Sequence, residues 1–459
     1  MLEQADRLGV VGWAARGTAP ATLRIRLDGA DVGQVVADRF RSDLADIEGA
    51  GAFAFWFPAP LPDDSAAEIA VQAEDGTHLP GSPVRLVASV PLPAGLRLPD
   101  VGAPLALVVD EAPPDAARDA GSVALLSHMQ ALRRLGFHVV FSTLAEADDA
   151  IRRTAGRVRL AYLHRLRPMA LLAARVRAAN PGVQVAFAVA DLAHLRTERE
   201  AALRGTLPPE GLRTAELLAA RAADVVLTHS SVEAALLEQW RPGVRARVVP
   251  WAKPPRPVAV PFADRTGIGF LGSYGHPPNL DAARVLLDEI MPAVWAVAPL
   301  PCVIAGSGMP PWLRRRAGGL VRVIETLPDT AALWRQVRVS AAPLRFGAGV
   351  KGKVLESLSA GIPCVCSPIA AEGLLLPRML VAEDAAAMVV ALLRLHTDPR
   401  ENAAAAAEGF AMLAARHTQD AVGRALALAL APVAGAINDG GGSAASSPAR
   451  ASPRQTSRC

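Results

Sequence analysis

Cysteine is nearly absent from this chain of 459 residues: four are present, at positions 302, 364, 366 and 459. They are too few for a disulfide framework, so a reducing, cytoplasmic compartment is expected. Cys364 and Cys366 stand one residue apart with no accompanying His/Cys set, a spacing that excludes a zinc site. No uninterrupted apolar run reaches about 18 residues, which excludes a membrane-spanning helix. The opening MLEQADRLGVVGW lacks a basic stretch followed by an apolar one, so no secretory leader is read. Charge of one sign is also missing: 48 Lys+Arg stand against 44 Asp+Glu, and a net charge of +4 is too mild for a dedicated nucleic-acid binder. Aromatic residues make up only 4%. Glycine and proline are frequent, 37 and 38, but aperiodic, which excludes a collagen-like chain.

Ala, Leu and Val carry an apolar fraction of 51%, ample for several cores. At roughly 100–200 residues per domain the length suggests about three domains. Residues 1–90 show short segments of period-2 alternation (22–40, 52–58, 67–89) broken by Asp28-Gly29 and Asp75-Gly76, strong tight-turn signals. They read as a small β-sandwich. A proline-rich linker is expected at 91–104. From residue 105 strands and helices alternate: LALVVD (105–110), a helix over 121–136, HVVFST (138–143), RLAYLH (159–164), VQVAFAVAD (183–191) and ADVVLTHS (223–230). This predicts a parallel sheet covered by helices over 105–255. A five-proline stretch at 248–262 reads as a hinge. A second α/β domain follows over 256–432, with helix 279–291, strands 301–305, 321–324, 338–342 and 363–367, helices 330–336 and 350–360, and an Ala-rich helical stretch 402–430 to close it. Residues 433–459 are Gly/Ser/Pro/Arg-rich and expected to be disordered. Two such domains on one hinge place a ligand in the cleft between them.

The chemistry-bearing stretch is PLRFGAGVKGKVLESLSAGIPCVCSPIAAEGL (343–374). Gly347, Gly349 and Gly352 lie between a strand and a helix, and Lys351 and Lys353 sit at the helix start. Glycines let backbone N–H groups approach an anion, and a helix N-terminus favours phosphate. Two lysines oppose the usual preference for acids in a first turn, a conflict that a bound diphosphate relieves. Glu356, one turn on, is placed to accept from ribose hydroxyls. Composition alone leaves a solvated turn with two surface lysines equally open. The spacing is not that of a Walker P-loop, since Val354 follows Lys353.

GFLGSYGHPPNLDAA (269–283), APLRFGAGVKGKVLESLSAGIPCV (342–365) and IAAEGL (369–374) resemble the carboxyl-terminal half of family 4 glycosyltransferases, and more narrowly the subgroup that carries a GAGxKGKxxE stretch. LVVDEAPPDAARDAGS (107–122), VADLAHLRTERE (189–200) and ADVVLTHSSVEAALL (223–237) agree with the amino half in order and spacing. The similarity covers about residues 105–395. The first 90 residues resemble a β-rich module appended to such enzymes. The resemblance implies a GT-B fold, two Rossmann-like domains facing across a cleft, here preceded by the β-sandwich. It implies a retaining transfer of a sugar from a nucleotide-diphosphate sugar to an acceptor hydroxyl, in cell-surface glycan synthesis, on a glycan or lipid-linked acceptor. Neither metal nor resident cofactor is implied, because lysines and amides neutralise the leaving diphosphate. Many members carry two glutamates separated by seven residues. Glu356 matches the second, but the first position is Ala348.

On this reading the donor side is Gly272, Ser273, His276, Asn279, Gly347, Gly349, Lys351, Lys353, Glu356 and Glu372, the last as a substitute contact for sugar hydroxyls. The acceptor side is Gly121, Ser122, Asp191 and Arg196, and the catalytic set is His194, Lys353 and Glu356. Each has a blander reading beside it: Ser122 as a helix cap, Asn279 as a cap of its own helix, His194 as a structural histidine, Arg196 and Arg199 as solvated charges. Ser230 with Glu233 reads as a capping box. The Arg314-Arg315-Arg316 cluster reads as a solvated face that an anionic membrane would attract weakly. A non-catalytic nucleotide- or carbohydrate-binding scaffold is the alternative, with a sugar-nucleotide epimerase or a phosphorylase on the same fold as weaker ones.

Overall fold

The computed structural model describes residues 1–5, 9–39, 41, 44, 47–57, 61, 65–86, 103–115, 119–325, 327 and 329–431. Residues 91–102 of the expected linker and the whole expected tail, 433–459, lie outside the described residues. Strands β1 (Leu2–Ala5), β2 (Gly9–Ala15), β3 (Thr22–Leu27), β4 (Ala30–Val36), β5 (Ala50–Trp56), β6 (Ala67–Ala73) and β7 (Val84–Leu86) form two antiparallel sheets, ordered β1-β2-β5 and β4-β3-β6-β7. Asp28 and Gly29, with φ of 48° and 81°, make the two-residue turn between β3 and β4. Alternation turns Leu23 and Ile25 of β3 inward, where they meet Val10, Phe53, Ile69 and Val71 from both sheets. This is the sandwich read from the sequence.

The first α/β lobe runs through β8 (Leu105–Asp110), α1 (Ala120–Arg134), β9 (His138–Thr143), α2 (Ala147–Arg153), β10 (Val158–His164), α3 (Leu166–Ala179), β11 (Gln184–Ala188), α4 (Ala193–Arg204), α5 (Leu212–Ala222), β12 (Val225–Thr228), α6 (Ser231–Trp240) and β13 (Ala246–Val248). Its sheet is parallel, in the order β13-β12-β11-β10-β8-β9. Every residue of β8 is buried, as befits a strand covered on both faces. Because the chain leaves β8 first to one side and then to the other, a crevice opens at the carboxyl ends of β8 and β10.

The second lobe holds β14 (Ile268–Leu271), α7 (Pro277–Val285), a π turn (Leu286–Ile290), α8 (Met291–Trp295), β15 (Cys302–Ala305), α9 (Pro311–Arg314), β16 (Val321–Ile324), α10 (Ala331–Trp334), β17 (Val339–Ala342), α11 (Gly352–Ser359), β18 (Cys364–Cys366), α12 (Pro368–Ala371), α13 (Ala385–Thr397) and α14 (Pro399–Arg416). Its parallel sheet runs β16-β15-β14-β17-β18. The helix expected over 279–291 extends to Trp295, and its π turn falls just before Pro292, which has no N–H to continue the α ladder.

Two expectations need correction. The helical stretch 402–430 breaks at His417, and Thr418 caps a separate helix, α15 (Gln419–Leu430). That helix does not close the second lobe. Val422, Leu426 and Ala429 pack with Leu125, Leu132 and Leu227 in the core of the first lobe. The chain therefore crosses between lobes twice, and the crossings touch: Lys253 donates its N–H to the His417 carbonyl at 2.6 Å, and His417 Nδ1 lies 2.8 Å from the Trp251 carbonyl.

Candidate functional site

The loop between β17 and α11 carries the three glycines and two lysines. Lys351 stands at the N-cap position with extended backbone and no side-chain cap, and the first turn holds no acidic residue. The N–H groups of Gly352 and Lys353 therefore have no partner within the helix. The loop and the helix start lie against the other lobe at very close range. A β-carbon added to Gly352 would stand 2.6 Å from Ala120 Cβ at the start of α1, and one on Gly349 would stand 3.1 Å from the Ala190 carbonyl and 3.2 Å from Asp191 Cβ. Glycine suits both positions: the Ala120 methyl occupies the space of a side chain at Gly352, and at Gly349, whose φ is +66°, the Ala190 carbonyl and Asp191 Cβ crowd it. Two helix starts thus oppose each other across the cleft.

The two lysines differ. Lys353 donates to Asn279 Oδ1, its ammonium lies 4.6 Å from the Phe270 ring centre, and burial lowers its pKa to about 7. Lys351 is turned under the loop: it is buried, donates to the Gly349 carbonyl, and has Glu372 and Glu233 as its main electrostatic partners. Burial lowers its pKa as well. It is a strut of the loop, whereas Lys353 joins the starts of α7 and α11.

Asn279 was a candidate cap for α7, but His276 holds the N-cap position. Asn279 instead donates from Nδ2 to the Ser273 carbonyl at 2.7 Å, which fixes the Gly272–His276 loop to Lys353. Gly272 backs this arrangement, its added β-carbon 3.3 Å from Asn279 Cβ. His276 has a lowered pKa of about 4, through dehydration first and the positive field of Arg196 second. Gly347 presents its carbonyl to Arg199 at 2.7 Å.

Other candidates take different places. Both Glu372 oxygens accept from Arg199, at 2.8 and 2.6 Å, so this carboxylate is a cross-lobe ion pair rather than a free ligand for sugar hydroxyls. Arg199, read from the sequence as a solvated charge, is half-buried and held in this pair. Glu356 pairs with Lys253 of the hinge and accepts from Thr330 Oγ1 at 3.3 Å. Ala348 is buried in the apolar core of the first lobe, so lobe packing stands where the missing glutamate would be.

The catalytic assignment of His194 is not supported. Its ring is 1% exposed, bonded through Nδ1 to Glu216 and packed 5.0 Å from Trp240. Leu192, at the N-cap of α4, offers no side-chain oxygen, so Glu216 accepts from the N–H groups of Ala193 and His194 at 3.0 and 3.1 Å in its place. His194→Ala should therefore cost about 1–3 kcal/mol in a denaturant titration and leave kcat unchanged. Loss of kcat at unchanged stability would return it to the catalytic set.

Asp119, not Ser122, caps α1: Oδ1 accepts the Ser122 N–H at 2.8 Å, and Gly121 lies beneath Arg165. The Ser230–Glu233 capping box is half formed. Ser230 caps α6, while the Glu233 carboxylate takes the Leu192 N–H at 2.8 Å and the Thr228 hydroxyl at 2.6 Å. Burial raises Glu233 to about 7. Asp191 pairs with Arg196 at 2.8 Å on the first-lobe wall.

A cluster at the first-lobe crevice escaped the sequence reading. Asp110 ends β8 and accepts from His164, which ends β10, at 2.9 Å, both buried. Burial would raise Asp110, but the His164 bond and charge and then Arg165 outweigh it and hold the carboxyl below its usual range. Arg165, at φ 72°, donates to Asp119 at 3.3 Å and keeps part of its guanidinium exposed. Such strain in a non-glycine residue is retained where surroundings enforce it. The signal was present: polar residues closing two apolar parallel strands. Among the described residues no group of three His, Cys, Asp or Glu side chains is placed to hold a metal ion, and no helix is long and apolar enough to cross a membrane.

Residues 265–398 match the sequence family described as Glycosyl transferases group 1. No curated protein matches the chain. Among solved structures, the sucrose-phosphate synthase of Thermosynechococcus elongatus is similar at TM-score 0.55 and 16% identity, over 71% of this chain and 98% of that one. Anabaena HepE, solved with UDP and glucose, is similar at TM-score 0.51 and 13% identity, over 71% and 98%. The N-terminal domain of the Candida albicans trehalose-6-phosphate phosphatase follows at TM-score 0.52 and 8% identity, over 72% and 97%. The chain has the GT-B fold, two Rossmann-like lobes across a cleft, with a β-sandwich in front.

Proposed function

We propose that the protein is a retaining glycosyltransferase that moves a sugar from a nucleotide-diphosphate sugar to an acceptor hydroxyl on a glycan or lipid-linked saccharide. The observation that carries this reading is the uncapped start of α11, with its orphan N–H groups and Lys353, set against the start of α1 in the other lobe. An anion is what that electrostatic arrangement lacks. The group 1 match over the lobe that contains α11, and the UDP and glucose in the HepE structure, support a nucleotide sugar as that anion's source.

On this reading the diphosphate lies between the Gly272–His276 loop and α11. As the glycosidic bond breaks, negative charge grows on the departing diphosphate, and Lys353 with the Gly352 and Lys353 N–H groups neutralises it without reorganising. Glu356, shared with Lys253, is the group one turn along α11 for the ribose. The acceptor approaches from the crevice walled by Asp119, Arg165, Asp191 and Arg196. Anomeric configuration is retained.

A thermal-shift panel of UDP, GDP, ADP and TDP, each with and without divalent metal, tests the site. One nucleotide at a hundredfold excess over its Kd should add about 2.7 kcal/mol, a shift of several degrees, in either condition. Absence of any shift removes the reading. A shift without release of nucleoside diphosphate from any nucleotide sugar favours the binding scaffold, to which buried Ala348 lends its weight.

A further inference from the structure

The segment after Glu372 is held from two sides. Leu374, Leu376 and Leu380 are buried in the core of the second lobe, while Leu375, between the first two, packs instead with Leu44, Ala50, Ala52 and Trp13 of the β-sandwich. An extended run sends alternate side chains to opposite faces, so three successive leucines make sense only where both faces are covered. Polar contacts repeat the pattern. Arg39 of the sandwich donates from Nη1 to the Leu375 carbonyl at 2.9 Å and from Nη2 to Glu408 of α14 at 2.6 Å. In the opposite direction Arg378 donates to the Ala50 carbonyl at 3.1 Å. Arg39 is itself fixed, because its backbone N–H and carbonyl both pair with Ala52 of β5 at 2.9 Å.

The same segment reaches the cleft within a few residues. Glu372 makes the bidentate pair with Arg199 of the first lobe and is the leading favourable partner of Lys351. An added β-carbon on Gly373 would stand 2.7 Å from Val350 and 2.9 Å from Ser230 Oγ. The chain of contact therefore runs from Arg39 through Leu375 to Glu372, Val350 and the loop that opens α11.

We propose that the N-terminal β-sandwich is a positioning device for the donor side of the cleft, and that Arg39 is its positioning residue, holding residues 372–378 so that Glu372 and the α11 loop keep their register against the first lobe. The proposal rests on the reading of the α11 start as the nucleotide-sugar site. Its own content, an anchored loop, is independent of turnover. Arg39 touches no substrate and acts through Leu375.

Hydrogen exchange on the full chain reads the anchoring directly. Arg39→Ala should raise amide exchange over residues 372–380 and 347–352 by about tenfold, with the sheets of both lobes unchanged, and Arg39→Lys should restore part of the protection. In the same variant KM for the nucleotide sugar should rise by about tenfold while kcat stays. Unchanged exchange at 372–380 overturns the proposal whatever the activity. So does exchange that rises evenly across the second lobe, which would make Arg39 a general stabiliser. If the unaltered protein binds no nucleoside diphosphate, the transferase reading fails, and the exchange experiment still decides whether the sandwich holds the loop.

Discussion

Lys353→Ala is expected to lower sugar transfer by about 10²–10³ and to weaken binding of the nucleoside diphosphate, with the fold intact. The size follows from what the ammonium does. It is the cation at the start of α11 that is not tied down beneath the loop, and among the described residues its hydrogen-bond partner is Asn279, a neutral group. A neutral side-chain oxygen satisfies a donor without countering its charge, so on the proposed reading the diphosphate supplies the anion. Removing the lysine deletes an interaction that strengthens as the leaving group becomes charged. It also removes a cation that burial penalises, so thermal stability should stay level or rise. Lys351→Ala should behave differently, because that ammonium bonds the Gly349 carbonyl and faces Glu372 and Glu233. Its loss leaves Glu372 to Arg199 alone and takes the neighbouring cation from buried Glu233, so it costs stability first. Turnover in Lys353→Ala equal to that of the parent enzyme would remove the mechanism.

Nucleoside diphosphate binding should take up a proton above neutrality. Burial holds Lys353 at about 7, against an ordinary 10.5. Above that pH the free site is mostly neutral, and an adjacent diphosphate favours the charged ammonium, so the ligand brings the proton with it. Affinity should then fall by up to about tenfold for each pH unit above 7. Titration calorimetry at pH 8 in two buffers of different ionisation enthalpy gives the number of protons directly. A value near zero would mean that the ammonium does not meet the ligand. The stability of the ligand-free protein carries the same signature with opposite use. Between about 7 and 10.5 the unfolded chain holds the lysine proton and the folded chain does not, so stability rises with pH across that window. Lys353→Ala should flatten that rise.

Much of the architecture was legible because burial writes periodicity into the chain. LALVVD announces a strand covered on both faces, and Asp28-Gly29 announces a turn whose two residues need positive φ. The start of α11 was legible for the same reason: glycines and lysines placed where a helix prefers acids. What stayed hidden is which distant charges meet. Glu372 and Arg199 are 173 positions apart, and Lys253 and Glu356 are 103 apart. Periodicity states that a face is buried, not what it is buried against. His194 was placed in the catalytic set by the family resemblance, whereas a lone histidine by itself reads as structural, and its partner Glu216 lies 22 residues on. Asp110, His164 and Arg165 were visible as residues but came together only through the strand order that sets β8 beside β10.

The return of α15 to the first lobe has a mechanical consequence. Two neighbouring tethers, one at Trp251–Lys253 and one at His417–Thr418, stitched together by two hydrogen bonds, resist swivelling far more than a single strand of chain would. What remains is bending about the line that joins them, the movement of a jaw. On the proposed function, a cleft that opens to admit substrate would part Gly352 from Ala120 along one arc and bring them together again along the same arc.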